Sequence, residues 1–426
     1  MTAKLEVRGD LKLVSKGKET TTPLTVVGDI CYDERLLAWG KQIADESRAI
    51  RQYSRAEANI AIDAQPLPTR TLPEGKRLVA AQVTGPAATL FAPRDTFTRD
   101  DLDLVTLPGI SLAVDRLLPD EPVAVGDSWK PSADAITVLC DLDEVDSAEV
   151  EATLKEVTAT EARCELAGNV AGRVDGVKSN LVIAAKFTFD RVRGRISWLA
   201  MSVKEQRDIG SVAPGVDATS RLQMRVEPLD ESPELADRNL VGVALEPTAA
   251  QLTLIHHSAA GRFSLAHDRR WHVVTDDERV TVLRMMEDGE LIAQANITPL
   301  AKQSPGKTVA LEAFEADVER LLGKNLAGVV KAGERMNERD YRVCRVEAIG
   351  KVNDLDIQWV YYHVTDKEGR GAAVAVTLDS KLAERFAGDD DALIGGLQLL
   401  DPSVPPVAAD DIEQSAQRSV LEPNPK

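Results

Sequence analysis

Five segments between residues 149 and 228 alternate apolar and polar side chains and are separated by short turns. They read EVEATLKEV, ARCELAGNVAGRV, SNLVIAAKFTFD, GRISWLAMSVKEQ and ATSRLQMRVEP. Alternation with a period of two is typical of a half-buried β-strand, and short turns join only antiparallel neighbours. The region therefore predicts an antiparallel meander rather than a parallel sheet with crossover helices.

The chain before this meander adds further strands. Residues 3–14 and 21–32, and the segments RLVAAQV and ATLFAP, have strand patterns, whereas residues 48–63 fit a strand or a helix equally well. We therefore predict that residues 1–228 form one curved antiparallel sheet.

A helical insert interrupts these strands between residues 98 and 145. Thr98, Ser111 and Ser132 each precede a short helical pattern that their hydroxyl can cap. We expect the inserted helices to cover one face of the sheet.

The segment EPLDESPELADRNLVGVALEPTAAQ is rich in proline and acid, which indicates a junction between domains. Beyond it we predict the hairpin LTLIHHS–AAG–RFSLAHD, the strands VTVLRMME and ELIAQANITPL, and an amphipathic helix. Three more strands (YRVCRVEAIGKV, LDIQWVYYHVTD and GAAVAVTLD) and a closing helix, KLAERFAGDDDALIGGL, follow. The fold class is therefore α+β, with domains at 1–228 and 249–400, a linker at 229–248 and a disordered tail at 401–426.

The helix predicted after residue 310 shows a clear apolar face. Its spacing places Leu311, Phe314, Val318, Leu321 and Leu322 together, with charged residues opposite. We expect all five side chains to pack against a sheet.

The chain carries 69 acidic and 51 basic residues, a formal net charge of −18. This excess disfavours nucleic acids and anionic membrane surfaces as partners, since both require basic patches. The sequence holds no apolar run of about 18 residues that could span a bilayer. The opening residues MTAKLEVRGDLKLV alternate like a strand, so we expect either a cytosolic protein or a chain that begins after a removed leader.

The stretch LTLIHHSAAGRFSLAHDRRWHV holds His256, His257, His267 and His272, four of the five histidines. In the predicted hairpin His257 lies opposite Arg262 and His267 opposite Leu252, so these two histidines are about 17 Å apart along the ladder. Neighbouring residues on a strand point to opposite faces, which separates His256 from His257. We therefore expect no metal site here; a His267–His272 pair is the remaining alternative.

The remaining motifs indicate no chemistry. Cys31, Cys140, Cys164 and Cys344 form no CxxC pair, which argues against zinc and favours buried thiols. SPGKT at 304–308 lacks the first glycine of a phosphate-binding loop, DLDEVD at 141–146 departs from a calcium loop, and DDD at 389–391 fits a helix face or N-terminus. We predict no catalytic, cofactor-binding or metal-binding residues.

The second domain resembles PsbP-like domains, a group that includes the DcrB and LpqN lipoproteins. The resemblance rests on FSLAHDRRWHV, on the helix at 310–326 and on WVYYHVTDKEGRGAAVAVTL followed by KLAERFAGDDDALIGGLQLL, and it covers residues 249–400. It implies an antiparallel sheet between helices, no shared catalytic residues and an extracytoplasmic location.

Residues 1–228 resemble uncharacterised proteins common in planctomycete bacteria. The segment LLPDEPVAVGDSWKPS carries this resemblance, with Gly126 suited to a turn and Trp129 to a core anchor. The shape it implies is similar to the half-barrels of lipoprotein-carrier proteins, which hold acyl chains in a concave sheet.

Three functional hypotheses follow. The first is a non-enzymatic binding or accessory protein whose partner is a protein or an apolar small molecule. The second is a lipid carrier, which requires that the sheet interior is not filled by Leu112, Leu117 and Ile136. The third is a hydrolase near His256 and His272, which needs an acid or nucleophile within hydrogen-bond reach of a histidine.

Overall fold

The computed structural model describes residues 1–15, 18–40 and 46–401 of the chain. It contains two compact units, Met1–Leu252 and a second that begins at Thr253. Apart from Asp401, the tail for which we predict disorder lies outside the described residues.

The first unit is built on one large sheet. Its strands are β1 Thr2–Ser15, β2 Lys18–Ala38, β3 Ser47–Ile62, β4 Gln65–Pro66, β5 Arg70–Thr71, β6 Leu78–Thr84, β7 Ala87–Phe91, β8 Ser128–Trp129, β9 Glu144–Val157, β10 Glu161–Val174, β11 Val177–Asp190, β12 Arg195–Arg207 and β13 Gly215–Arg225.

Within the described residues these strands run in the order β7-β6-β3-β2-β1-β13-β12-β11-β10-β9-β8, with β4 and β5 paired to β3. Every pairing is antiparallel, and β9 to β13 form the predicted meander. Of the ambiguous residues 48–63, all but Asp63 lie in β3, where β2 and β6 pair on either side. A side chain at Gly168 would place its Cβ 2.0 Å from the carbonyl oxygen of Glu149, so glycine lets β9 and β10 approach closely.

The first unit also contains short helices and 3₁₀ turns, some of which lie in the predicted insert between residues 98 and 145. The α-helices of this unit are α1 Arg99–Val105, α2 Ala133–Cys140, α3 Asp237–Leu240 and α4 Ala249–Leu252, with 3₁₀ turns at Glu74–Lys76, Val114–Leu117 and Pro233–Leu235.

The caps of these helices confirm two predictions and correct one. Thr98 caps α1 in a capping box with Asp101, and Ser132 caps α2. Ser111 caps nothing: the segment after it forms only the 3₁₀ turn at Val114–Leu117, and Ser111 is fully buried among polar side chains. The Ser111 hydroxyl instead forms hydrogen bonds with buried side chains that the local sequence pattern does not indicate.

The segment predicted as a linker, 229–248, packs on the first unit. Leu235 is buried with Ile50 and Phe91, and its carbonyl accepts a hydrogen bond of 2.9 Å from Arg35.

The second unit contains two sheets. Its strands are β14 Leu254–Ser258, β15 Phe263–His267, β16 Trp271–Asp276, β17 Thr281–Glu287, β18 Glu290–Pro299, β19 Leu326–Met336, β20 Arg342–Val352, β21 Leu355–Thr365, β22 Gly371–Asp379 and β23 Leu397–Leu399. Its helices are α5 Leu311–Leu322, α6 Ala383–Phe386 and α7 Asp389–Gly395, with 3₁₀ turns at Gly323–Asn325 and Ser380–Leu382.

Within the described part of this unit, one sheet runs β16-β17-β18-β22-β21-β20-β19 and a smaller one β14-β15-β23. Helix α5 covers β19 to β21 on one face through Val318 and Leu322. On the other face α6, α7 and the smaller sheet enclose the larger core. The antiparallel α+β architecture predicted from the sequence is confirmed.

Three details of this unit differ from the predictions. Strand β19, after α5, is missed by the sequence pattern because its sheet partner lies on only one side and its residues alternate poorly. The closing helix is split into α6 and α7 by Gly388, whose φ of 90° is left-handed. Leu321 is 71% exposed, so it lies off the apolar face of α5.

Candidate functional site

The inner face of the large sheet, which faces α1 and α2, is filled by side chains. Leu112, Leu117 and Ile136 are all buried, as the sequence hypothesis of a closed interior requires. A Cβ at Gly109 would lie 3.2 Å from the side chains of Leu199 and Leu222, so the insert packs directly on β12 and β13.

A polar cluster lies within this filled face. The Arg51 guanidinium donates to Glu34 at 2.8 Å and to Ser111 at 3.0 Å, and Ser111 donates to Glu34 at 2.7 Å. The hydroxyl of Tyr32 is 2.9 Å from Ser111, and burial raises the pKa of Tyr32 and Tyr53, so both phenols stay neutral. Each polar group is satisfied by another, which makes this cluster part of the core.

The outer face of the same sheet carries side chains in rows across the strands. One row, traced through the cross-strand pairing, runs Arg55, Cys31, Thr2, Arg225, Trp198, Thr188 and Arg163. The next row runs Asp29, Lys4, Gln223, Ala200, Lys186 and Glu165.

Two β-bulges shape the first row. The register between β2 and β3 shifts after Cys31, so that Ser54 and Arg55 both face outward. The register between β11 and β12 shifts after Thr188, which leaves Ser197 unpaired beside Trp198. Bulges re-aim side chains, and here they place a serine beside an arginine or a tryptophan on two strands.

Between the bulges lies a hollow that we call the central pocket. It has a volume of about 470 Å³ and is lined by Thr2, Ala3, Lys4, Asp29, Cys31, Ser54, Arg55, Trp198, Gln223 and Arg225. Two wider clefts adjoin it. One shares Lys4 and Gln223 with the central pocket, and the other shares Thr2, Cys31, Trp198 and Arg225. The three hollows together form the outer groove.

Charges in the central pocket contrast with the acidity of the chain. Lys4, Arg55 and Arg225 are cationic, and Asp29 is the single carboxylate among the lining residues. Asp29 accepts from Arg55 at 2.9 Å, and Arg225 lies 3.5 Å from Glu227. The pocket is therefore positive in a chain whose net charge is −18.

The histidines of the first hairpin do not form such a site. The hairpin register is two residues from the predicted one: His257 lies opposite Ser264 and His267 opposite Leu254, instead of Arg262 and Leu252. The correction follows from the turn, where Ser258 accepts the Gly261 amide at 2.8 Å and Arg262 adopts a left-handed φ of 57°. His257 and His267 are then about 10 Å apart along the ladder.

A serine, an acid and a histidine do approach one another near this hairpin. His256 Nε2 lies 3.3 Å from Asp276, and Ser258 and Thr281 each donate to Asp276 at 2.7 Å. Nucleophilic catalysis requires the serine hydroxyl to face the histidine and remain open to substrate. Ser258 is instead fully buried and directed at the carboxylate, so the cluster fixes the hairpin to β16 and β17.

The other motifs lie in turns and at helix ends. SPGKT lies in irregular backbone before α5, Asp141 ends α2 in a left-handed conformation, and Asp389 begins α7. Gly126 has a φ of 96°, as its turn requires, and half-buried Trp129 donates from Nε1 to the Leu117 carbonyl at 2.8 Å.

The cysteines differ in burial. Cys164 and Cys344 are buried, whereas Cys31 and Cys140 are only partly covered. Burial raises the pKa of Cys164 to about 11 and that of Cys140 to about 12, which keeps both thiols protonated at neutral pH. Cys31 lines the central pocket.

Within the described ranges, no group of three or more histidine, cysteine, aspartate or glutamate side chains is placed to hold a metal ion. None of the described helices has the length and apolar character needed to cross a membrane.

Comparison with known proteins gives only distant likenesses. No protein-family model matches the chain. No curated protein matches it either. A crystal structure from Bacteroides thetaiotaomicron is 12% identical over 38% of this chain and 56% of its own, with a TM-score of 0.25. The chain thus spans about half the length of that protein.

Two further structures are similar in part. The solution structure of PsbP (CyanoP) from Synechocystis is 12% identical over 36% of this chain and 94% of its own, with a TM-score of 0.27. A mutant porin of Rhodopseudomonas blastica is 10% identical over 89% and 100%, with a TM-score of 0.12. A PsbP is therefore among the structures that are similar in part.

The sequence did not predict the residues of the central pocket as site residues. Lys4 lies on β1, far in sequence from Trp198 on β12 and Arg225 on β13, and no local motif joins the three residues. The sequence shows these residues only as outward-facing polar positions on predicted strands, which any solvent-exposed sheet face would contain.

Proposed function

We propose that the protein is a non-enzymatic binding protein whose ligand site is the central pocket on the outer face of the large sheet. The observation that carries this proposal is the pair of bulges at Ser54–Arg55 and Ser197–Trp198 on the two sides of one hollow. A volume of about 470 Å³ lies within the range of small-molecule sites.

The alternatives receive less support. A lipid carrier needs space on the inner face, where Leu112, Leu117 and Ile136 are buried. A hydrolase needs an accessible nucleophile, and Ser258 is buried against Asp276.

The sequence resemblances belong to the same proposal. A half-barrel curvature of the large sheet would hold α1 and α2 on its concave face, and a PsbP-like second domain would serve as an accessory module. An extracytoplasmic location, with a small molecule or protein as partner, agrees with both.

The test is a screen of the full chain against neutral, cationic and anionic fragments by saturation-transfer NMR. We expect a subset of fragments to bind, and Trp198→Ala to abolish their signals because it removes the aromatic wall of the pocket. The matched control is Trp39→Ala, which removes a 39% exposed tryptophan that does not line the pocket. Fragment binding that is unchanged in Trp198→Ala, or absent throughout, contradicts the proposal.

A further inference from the structure

We propose that the central pocket selects planar aromatic ligands that carry an anionic group, such as an aryl carboxylate or an aryl phosphate. This inference rests on the proposed function and adds the chemical class of the ligand.

The charge of the pocket favours an anion. Three cationic side chains and one carboxylate line it, which leaves a net charge of +2. The rest of the chain is strongly acidic, so an anion finds a local attraction here that most of the surface opposes.

Two of the three cationic side chains, Lys4 and Arg225, can still pair with a bound anion. Lys4 lies between Asp29 and Gln223 in the register, and within the described residues its amine forms no ion pair. Asp29 pairs with Arg55, which lies on β3, on the side of β2 opposite to Lys4. The contact of Arg225 with Glu227 is 3.5 Å long and both side chains are more than 60% exposed, so it competes weakly with a bound oxyanion.

Trp198 favours a flat ligand. The indole is half-buried and lies opposite Arg225 in the register, so an aromatic ring can stack on it while an oxyanion reaches the guanidinium. Thr2, Ser54 and Gln223 add neutral hydrogen-bonding groups. A volume of about 470 Å³ accommodates one or two rings rather than a long acyl chain.

The test compares benzoate with benzamide, which lacks the charge, and with cyclohexanecarboxylate, which lacks the plane. NMR titration of the full chain should show benzoate binding about tenfold more tightly than benzamide, the value of one charge-assisted contact. We expect cyclohexanecarboxylate to bind more weakly than benzoate, and raised salt to weaken benzoate binding.

Two variants locate the effect. Lys4→Gln should reduce benzoate affinity about fivefold to tenfold and leave benzamide binding unchanged. The matched control is Arg8→Gln on the same face of β1 and outside the pocket, which should change neither. Phenyl phosphate in place of benzoate then shows which oxyanion is preferred.

The outcomes separate this inference from the proposed function. Equal binding of benzoate and benzamide, both dependent on Trp198, overturns the anion preference and supports the binding site. Equal binding of benzoate and cyclohexanecarboxylate overturns the preference for a plane. Absence of any Trp198-dependent binding, for these probes and for the fragments, overturns both.

Discussion

The large sheet of the first unit and the seven-stranded sheet of the second differ in how many of their faces are covered by elements of their own unit. Helices α1 and α2 and the turn at Val114–Leu117 cover the inner face of the large sheet, and its outer face bears rows of polar and charged side chains. The sheet of the second unit has α5 on one face and α6, α7 and the smaller sheet on the other.

The difference shows where packing stabilises the protein and, under the proposed function, where a ligand would bind. A covered face contributes buried apolar area, and its side chains are fixed by packing. An uncovered face keeps its side chains available, so the residues that could recognise a ligand concentrate on the outer face of the first unit. The following predictions test this division, beginning with the largest effect.

The first concerns the covered face of the large sheet. Arg51→Met leaves the Glu34 carboxylate buried without its cation, and Arg51 itself is only 2% exposed. Breaking a buried pair from one side costs about 3–5 kcal/mol. Urea denaturation followed by circular dichroism should show this loss.

The control is Arg163→Met, which breaks a half-exposed pair with Glu156 on the outer face. Pairs of this kind contribute less than about 1 kcal/mol. Equal losses for both variants would show that the cluster around Arg51 is not a packed core.

Alternation of side chains predicted the meander and the antiparallel class because a sheet half exposed to water must alternate. The N-caps Thr98 and Ser132 were predicted correctly because a cap is a contact between residues close in sequence. The polar cluster could not be predicted because Ser111 comes from the insert while Glu34 and Arg51 come from β2 and β3. The central pocket could not be predicted because it joins β1 to β3 with β12 and β13. The predicted register of the first hairpin was wrong because the Ser258 side chain accepts a hydrogen bond from the Gly261 amide in the turn, which shifts the strand pairing.

The second prediction uses two adjacent leucines of α5. Leu322 is 7% exposed and packs against the sheet of the second unit, whereas Leu321 is 71% exposed. Leu322→Ala should cost about 2–4 kcal/mol through the cavity it leaves, and Leu321→Ala less than about 0.5 kcal/mol. Denaturation midpoints measure both, and a reversed order would show that α5 presents a different face.

The third and smallest effect is a pH dependence in the layer beneath α5. His363 is buried with its ring 5.8 Å from that of Phe314, and in the register it lies between Cys344 and Ala373. Burial, with a smaller contribution from the charge of Arg342, lowers the pKa of His363 below its ordinary value of 6.5. The folded state therefore holds the imidazole neutral where the unfolded chain already binds a proton.

The sign of the effect follows from linkage. As the pH falls below about 6.5 the unfolded state gains the proton first, so the free energy of unfolding decreases until the pKa of the folded state is reached. His363→Leu fills similar space and removes the titration, so its stability should fall less between pH 7.5 and pH 5 than that of the parent chain. The difference measured at pH 8, where both forms are neutral, isolates the packing change. Parallel profiles would mean that the face beneath α5 is open to water at His363, and the covered sheet would then resemble the outer face of the first unit.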